Sequence, residues 1–93
     1  MDKYTRELMD CASKLDAMIE GYGYITNLAS AIVNRGSTKS TIQLLKQLAE
    51  IVEDKNVVNE TKKMAAILKD SLVRYYGHIR LVEICDTSLN QTE

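Results

Sequence analysis

The fold of this chain is decided by residues 4–32, which read YTRELMDCASKLDAMIEGYGYITNLASAI. Apolar residues recur through this stretch at alternating steps of four and three. They are Tyr4, Leu8, Cys11, Leu15, Met18, Tyr22, Ile25, Ala29 and Ile32, and we call these nine residues the seam. Such spacing is typical of the buried stripe of a helix that packs against another helix, whereas a strand would place these residues on both faces of a sheet. The seam therefore predicts a long first helix that requires a helical partner.

Two glycines, Gly21 and Gly23, interrupt the seam, and each costs about 1 kcal/mol relative to Ala inside a helix. One interpretation is that they lie beside the seam and admit a neighbouring backbone, so that one helix runs continuously over about residues 3–34. The alternative is that the helix breaks at Gly21–Gly23 and its first half folds back as an additional helix. We take the continuous helix as the prediction and keep the broken one as its alternative.

The rest of the chain predicts two further helices, at about 38–53 and 57–85. Gly36 is suited to the left-handed residue that ends a helix, and Ser37 or Thr38 can cap the next one. The expected fold is therefore all-α: a three-helix bundle, or long helical hairpin with a short middle helix, that self-associates. Breakage at Gly21–Gly23 would give a four-helix bundle instead. We expect one domain over residues 1–88 and a flexible tail over residues 89–93.

The predicted helices differ in length, and this difference suggests an interaction surface. At 1.5 Å per residue the first and third helices would be about 40 to 45 Å long, while the second would span about 24 Å. Two apolar ends would then lack cover in their own chain, and such patches often mark interaction sites. We therefore predict a homodimer or higher homo-oligomer that also binds another protein. The predicted partner-binding residues are Tyr4, Leu8, Cys11, Leu15, Tyr75, Tyr76, Ile79 and Val82.

Composition argues against several functional classes. The 93 residues carry a formal charge of -1, which gives no strong field for nucleic acid or an anionic membrane. No signal peptide and no run of 18 apolar residues is present, so we expect a cytoplasmic protein without membrane segments. Cys11 and Cys85 lack the close spacing of zinc or redox motifs, and His78 has no nucleophile or carboxylate at a known motif spacing. We therefore predict no catalytic residue, no metal site, no cofactor and no enzymatic activity.

The function that these features favour is a small helical protein–protein interaction module, such as an adaptor, inhibitor or chaperone-like protein. It would act through exposed apolar helix faces, in the manner of helix-in-groove recognition. We expect such a protein to be a helical bundle with coiled-coil packing, to form an oligomer and to act as a regulator.

A helix-turn-helix DNA-binding regulator, dimerised by the long C-terminal helix, is the alternative function. The segment from Gly36 to Ile42 places a glycine, hydroxyl residues and an Ile at the spacing of that motif. Ile32 and Ser37 depart from its usual pattern. The nucleic-acid contacts would be Arg35, Lys39 and Lys46, which are few for binding phosphates.

A third hypothesis is an oligomer that binds a small molecule or nucleotide. Tyr22, Tyr24 and Arg74 would lie near a pocket between chains, where aromatic rings and a guanidinium could contact a base or a phosphate.

Overall fold

The computed structural model describes the backbone of residues 2–91 and the side chains of residues 2–80. Four helices make up this part of the chain: α1 (Lys3–Ile19), α2 (Tyr24–Arg35), α3 (Thr38–Glu53) and α4 (Asn59–Gln91). Residues 2–91 contain no strand, so the predicted all-α class is confirmed. None of the described helices is both long enough and apolar enough to cross a bilayer.

The predicted continuous first helix, residues 3–34, is wrong, because the chain leaves the helix at Glu20 and re-enters it at Tyr24. Glu20, Tyr22 and Gly23 all have left-handed backbones, with φ of 53°, 51° and 85°. This conformation costs roughly 1 to 2 kcal/mol for a residue other than glycine. The four-helix arrangement, which was the alternative, is the one found in the structure.

Asp16 accounts for the position of the break. Its carboxylate is buried at the end of α1 and accepts hydrogen bonds from the backbone N–H groups of Ile25 and Thr26, at 3.0 and 2.7 Å. It also accepts one from the hydroxyl of Thr26. Asp16 thus satisfies the free N–H groups at the start of α2 from a position nine residues upstream. Gly21 leaves room for this contact, since a Cβ there would lie 2.6 Å from Oδ1 of Asp16.

α1 runs antiparallel to α4. Glu7 contacts Arg74, and Cys11, one turn further along α1, contacts Ser71, one turn earlier in α4. α4 has 33 residues and α1 has 17, so α4 continues beyond the level at which α1 begins. In an up-down-up three-helix bundle the first and last helices would run parallel; here they are antiparallel because the chain makes one additional reversal.

Each helix contacts two neighbours, in the order α1, α2, α3, α4 and back to α1. α3 also runs antiparallel to α4, because Thr41 near the start of α3 bonds to Tyr76 while Val52 near its end faces Ala65. The centre is filled by side chains from all four helices. These core residues are Leu8, Cys11, Ala12, Leu15, Ile25, Ala29, Ile32, Leu44, Leu48, Ile51, Ala65, Leu68, Leu72 and Tyr75.

The predicted bounds of the middle helix are confirmed as α3. Gly36 takes the left-handed conformation at the end of α2, and its N–H bonds to the carbonyl of Ile32. Ser37 caps α3 by accepting a hydrogen bond from the N–H of Ser40 at 3.1 Å. The last helix differs from its prediction of 57–85, since it begins at Asn59 and ends at Gln91. The expected tail, residues 89–93, lies partly in this helix and partly outside the described residues.

Candidate functional site

The predicted partner-binding stripe does not form a surface. Leu8, Cys11, Leu15 and Tyr75 are buried in the core of their own chain. The reason is the break after α1, which lets α1 fold back and pack along α4. Burial raises the pKa of Tyr75 above its usual value of 10.0. The expectation that these four side chains lack cover is therefore wrong.

The remaining members of the predicted stripe lie at the end of the bundle where α1 begins. Tyr4 is half-buried and stacks on His78, with 4.6 Å between the ring centroids. Ile79 is half-buried against the core, and Tyr76 is exposed on α4. The side chain of Val82 lies outside the described residues.

A polar network closes the surface between α1 and α4. Arg74 pairs with Glu7, and the hydroxyl of Ser71 donates to the same carboxylate. The hydrogen bond from Arg74 lowers the pKa of Glu7 below its ordinary value of 4.5, and Glu7 raises the pKa of Arg74 in return. Beneath this pair the Sγ of Cys11 lies 3.4 Å from the Oγ of Ser71. These contacts join α1 to α4 by polar side chains at Glu7, Cys11, Ser71 and Arg74.

A groove is present on the other side of α4, where it meets α3. It encloses about 520 Å³ and is lined mainly by apolar side chains. The lining residues are Leu45, Leu48, Ala49, Val52, Glu53, Ala65, Ala66 and Lys69, and we call this feature the α3/α4 groove. Ala65 and Ala66 are too small to fill the space between the helices, while Leu45 and Val52 are 38% and 47% exposed.

The apolar surface extends beyond the groove in both directions along the bundle. Ile42 lies one turn before Leu45 on α3, and Val73 lies one turn after Lys69 on α4; both are at least half exposed. Residues three, four and seven apart share a helix face, so these side chains continue the walls of the α3/α4 groove. From Ile42 to Glu53 the surface is about 16 Å long, or three helical turns.

Lysines predominate at the rim of the α3/α4 groove. Lys69 is part of the lining, and Lys62, seven residues earlier, lies on the same face of α4. Lys46 lies on the α3 side between Ile42 and Ala49, and Glu53 is the acidic residue of the lining. The border therefore combines three lysines with two carboxylates, Glu53 and Asp70, the latter four residues after Ala66, around an apolar floor.

The residues named for DNA binding are exposed: Arg35 at the end of α2, and Lys39 and Lys46 two turns apart on one face of α3. The helices that flank the turn at Gly36 and Ser37 belong to the same bundle and contact each other. Binding of DNA is not tested by these positions and stays a prediction.

The residues named for a small ligand are not adjacent within one chain. Tyr22 lies in the connection between α1 and α2, and Tyr24 is the first residue of α2, where its hydroxyl accepts a hydrogen bond from Gln43. Arg74 pairs with Glu7 near the start of α1. At 1.5 Å per residue, Glu7 lies about 20 Å along α1 from the connection that contains Tyr22. The predicted site between chains is not tested by the structure of one chain and stays a prediction. Among the side chains of residues 2–80, no group of three or more His, Cys, Asp or Glu could hold a metal ion.

The α3/α4 groove was not predicted from the sequence, although the sequence contains a signal for it. The apolar face of α3 covers nearly half of the helix, a width that is also expected of a helix in contact with two neighbouring helices. The structure gives α3 those two neighbours, yet Ile42, Leu45 and Val52 stay exposed. The additional signal was the pair Ala65–Ala66, whose small side chains cannot cover them.

Comparison with known proteins adds no functional assignment. No protein-family model, curated protein or solved structure matches this chain.

Proposed function

We propose that this protein is a protein–protein interaction module that binds an amphipathic helix of another protein in the α3/α4 groove. The observation that carries the proposal is the groove itself: exposed Leu45 and Val52 of α3 form one wall, the small side chains of Ala65 and Ala66 of α4 leave the space beside them open, and the surface is about three turns long. Helix-in-groove recognition uses a surface of this kind, with apolar anchors spaced at three and four residues. The sequence predicts the same class of function, but the proposed binding surface is the α3/α4 groove and not the predicted partner-binding stripe.

Charge selects the kind of helix. Lys46, Lys62 and Lys69 lie at the border of the groove and outnumber its two acidic residues, Glu53 and Asp70. A ligand helix with Asp or Glu beside its apolar stripe would place negative charges near these lysines and would associate faster than a basic one. The proposed occupant is therefore an acidic amphipathic helix.

A second copy of this chain is a less favourable occupant of the same groove. Two identical faces would bring Lys69 and Lys46 of one copy near the same lysines of the other, and like charges at an interface are unfavourable. Self-association, which the sequence analysis predicted, is proposed below through a different part of the molecule.

The test uses two helical peptides of about 15 residues that share one Leu stripe at three- and four-residue spacing. One carries Glu beside the stripe and the other carries Lys. We expect fluorescence anisotropy to show tighter binding of the Glu peptide. Ala66→Phe, which fills the groove, should abolish binding, and Lys69→Glu should weaken the Glu peptide at least about tenfold while improving the Lys peptide.

Ile67→Glu is the matched control variant. Ile67 is 47% exposed on α4, next to Ala66, but does not line the groove. This change should leave the affinity for the Glu peptide unaltered. Equal loss of binding in Ile67→Glu and Ala66→Phe, or binding of neither peptide to the unmodified protein, would contradict the proposal.

A further inference from the structure

The seam is buried on both sides of the break between α1 and α2 and is exposed only at the break. Seven of its nine residues are buried or half-buried, whereas Met18 is 44% exposed and Tyr22 is 95% exposed. The spacing nevertheless continues through this point, because Leu15, Met18, Tyr22 and Ile25 keep the steps of three and four. The sequence thus retains the pattern of one continuous helix where the structure has two.

The connection between α1 and α2, residues 20–23, is short and strained. Its left-handed positions include Glu20 and Tyr22, although glycine is the residue that adopts this conformation without strain. The ring of Tyr22 projects almost entirely into solvent. Short connections under strain favour the exchange of identical elements between two copies, because the strain is released when the connection straightens.

We propose that this chain also forms a domain-swapped dimer, in which residues 3–35 become one continuous helix. In this dimer α1 of each copy packs on α2 and α4 of the other copy, so the contacts that α1 makes in the monomer, apart from those of Asp16, are retained between chains. Examples are the pairing of Glu7 with Arg74 and the contact of Cys11 with Ser71.

The exchange alters only the connection. The straightened segment loses the hydrogen bonds that Asp16 accepts from Ile25 and Thr26 and gains the backbone hydrogen bonds of a helix. Glu20 and Tyr22 no longer have left-handed backbones. Because the two straightened connections lie near the two-fold axis of such a dimer, the exposed seam residues there gain apolar neighbours that they lack in the monomer.

Two pairs of substitutions in the connection between α1 and α2 should shift the monomer–dimer equilibrium in opposite directions. Gly21→Ala with Gly23→Ala favours the continuous helix and places a methyl group against Asp16, so we expect dimer association to strengthen about a hundredfold or more. Glu20→Gly with Tyr22→Gly removes strain from the monomer and weakens the continuous helix, so association should fall by a similar factor. Size-exclusion chromatography with light scattering over a concentration series measures both.

Gly36→Ala is the control for these variants. Gly36 has a φ of +60° at the α2–α3 connection, and no atom lies within 4 Å of an added Cβ there. This variant strains a connection without favouring a continuous first helix, so it should not strengthen association. Dimerisation as strong as in Gly21→Ala/Gly23→Ala would mean that loss of stability alone causes association, and it would overturn the proposal.

An engineered disulfide distinguishes a swapped dimer from a surface contact. Ser71→Cys, introduced together with Cys85→Ser, places a thiol beside Cys11, because the present Sγ to Oγ distance is 3.4 Å. After oxidation, the monomer fraction should contain a disulfide within one chain, and the dimer fraction of Gly21→Ala/Gly23→Ala should run as a covalent dimer on a non-reducing gel. A dimer fraction that gives only monomer bands, or a folded Gly21→Ala/Gly23→Ala variant that stays monomeric, would overturn the proposal.

Discussion

The two sides of α4 show how differently one helix can be covered. Towards α1, Leu68, Leu72 and Tyr75 pack in the core, and Arg74 and Ser71 bond to side chains of α1 above them. Towards α3, Ala65 and Ala66 leave a groove whose walls are exposed apolar side chains. The first side is closed by large residues and a polar network, and the second remains open because small residues occupy the corresponding positions.

This difference shows that apolar spacing alone does not separate a core from a binding surface. The stripe of α1 and the stripe of α3 both repeat at three- and four-residue intervals, and both predict contact with another helix. The first is covered within the chain over Leu8, Cys11 and Leu15, whereas the second is buried at Leu44, Leu48 and Ile51 but stays exposed at Ile42, Leu45 and Val52. A binding surface is therefore to be sought where a helix with a wide apolar face meets alanines rather than leucines.

The largest effect is expected from truncating the closed side. Leu15 is fully buried, and Leu15→Ala should lower the free energy of unfolding by about 3 kcal/mol, because it removes core contacts and leaves a cavity. Leu45→Ala, at the wall of the groove, should cost about 1 kcal/mol or less, since that side chain remains partly in water. Urea titration followed by circular dichroism gives both values. Similar losses in the two variants would mean that the groove side is as closed as the α1 side.

A smaller loss of stability is expected at the connection between α1 and α2, which lets α1 pack on α4. Asp16→Ala removes the acceptor for the N–H groups of Ile25 and Thr26 and should cost about 1 to 2 kcal/mol, as loss of a helix cap does. Asp16→Asn keeps one acceptor oxygen and should lose less. The same urea titration checks the order. If Asp16→Ala proves as stable as the unmodified protein, this carboxylate does not stabilise the connection.

The smallest effect is a pH dependence from the network that closes the α1 side. Folding lowers the pKa of Glu7, so its contribution to stability is complete above the ordinary value of 4.5 and is lost as the pH falls through the lower folded-state pKa. The stability difference between the unmodified protein and Glu7→Gln should therefore be present at neutral pH and disappear in acid. Because both side chains of the pair are partly exposed, salt should reduce the difference. A difference that is constant from neutral pH to about pH 3 would exclude this ion pair as its source.

Local signals in the sequence were sufficient for much of the fold. The apolar spacing predicted the all-α class, and the combination of Gly36 with Ser37 predicted where α2 ends and where α3 begins. These features depend on neighbouring residues: a glycine accepts a left-handed backbone, and a hydroxyl reaches an N–H three residues ahead. The residue types that suit such positions are visible without any knowledge of packing.

The tertiary structure decided where the seam breaks and which apolar face stays open. The break depends on the hydrogen bonds that Asp16 accepts from Ile25 and Thr26, and these require Gly21, because a Cβ there would collide with the Asp16 carboxylate. The spacing of the seam does not report on these contacts, since it is the same whether the helix is continuous or broken. The break then folds α1 against α4, which buries Leu8 and Leu15, while the α3/α4 groove stays an uncovered apolar surface. Sequence periodicity determines that a stripe will be buried against something. The packing of the whole chain determines whether the stripe is buried by its own chain or stays exposed, because burial depends on the sizes of side chains that come into contact only after folding.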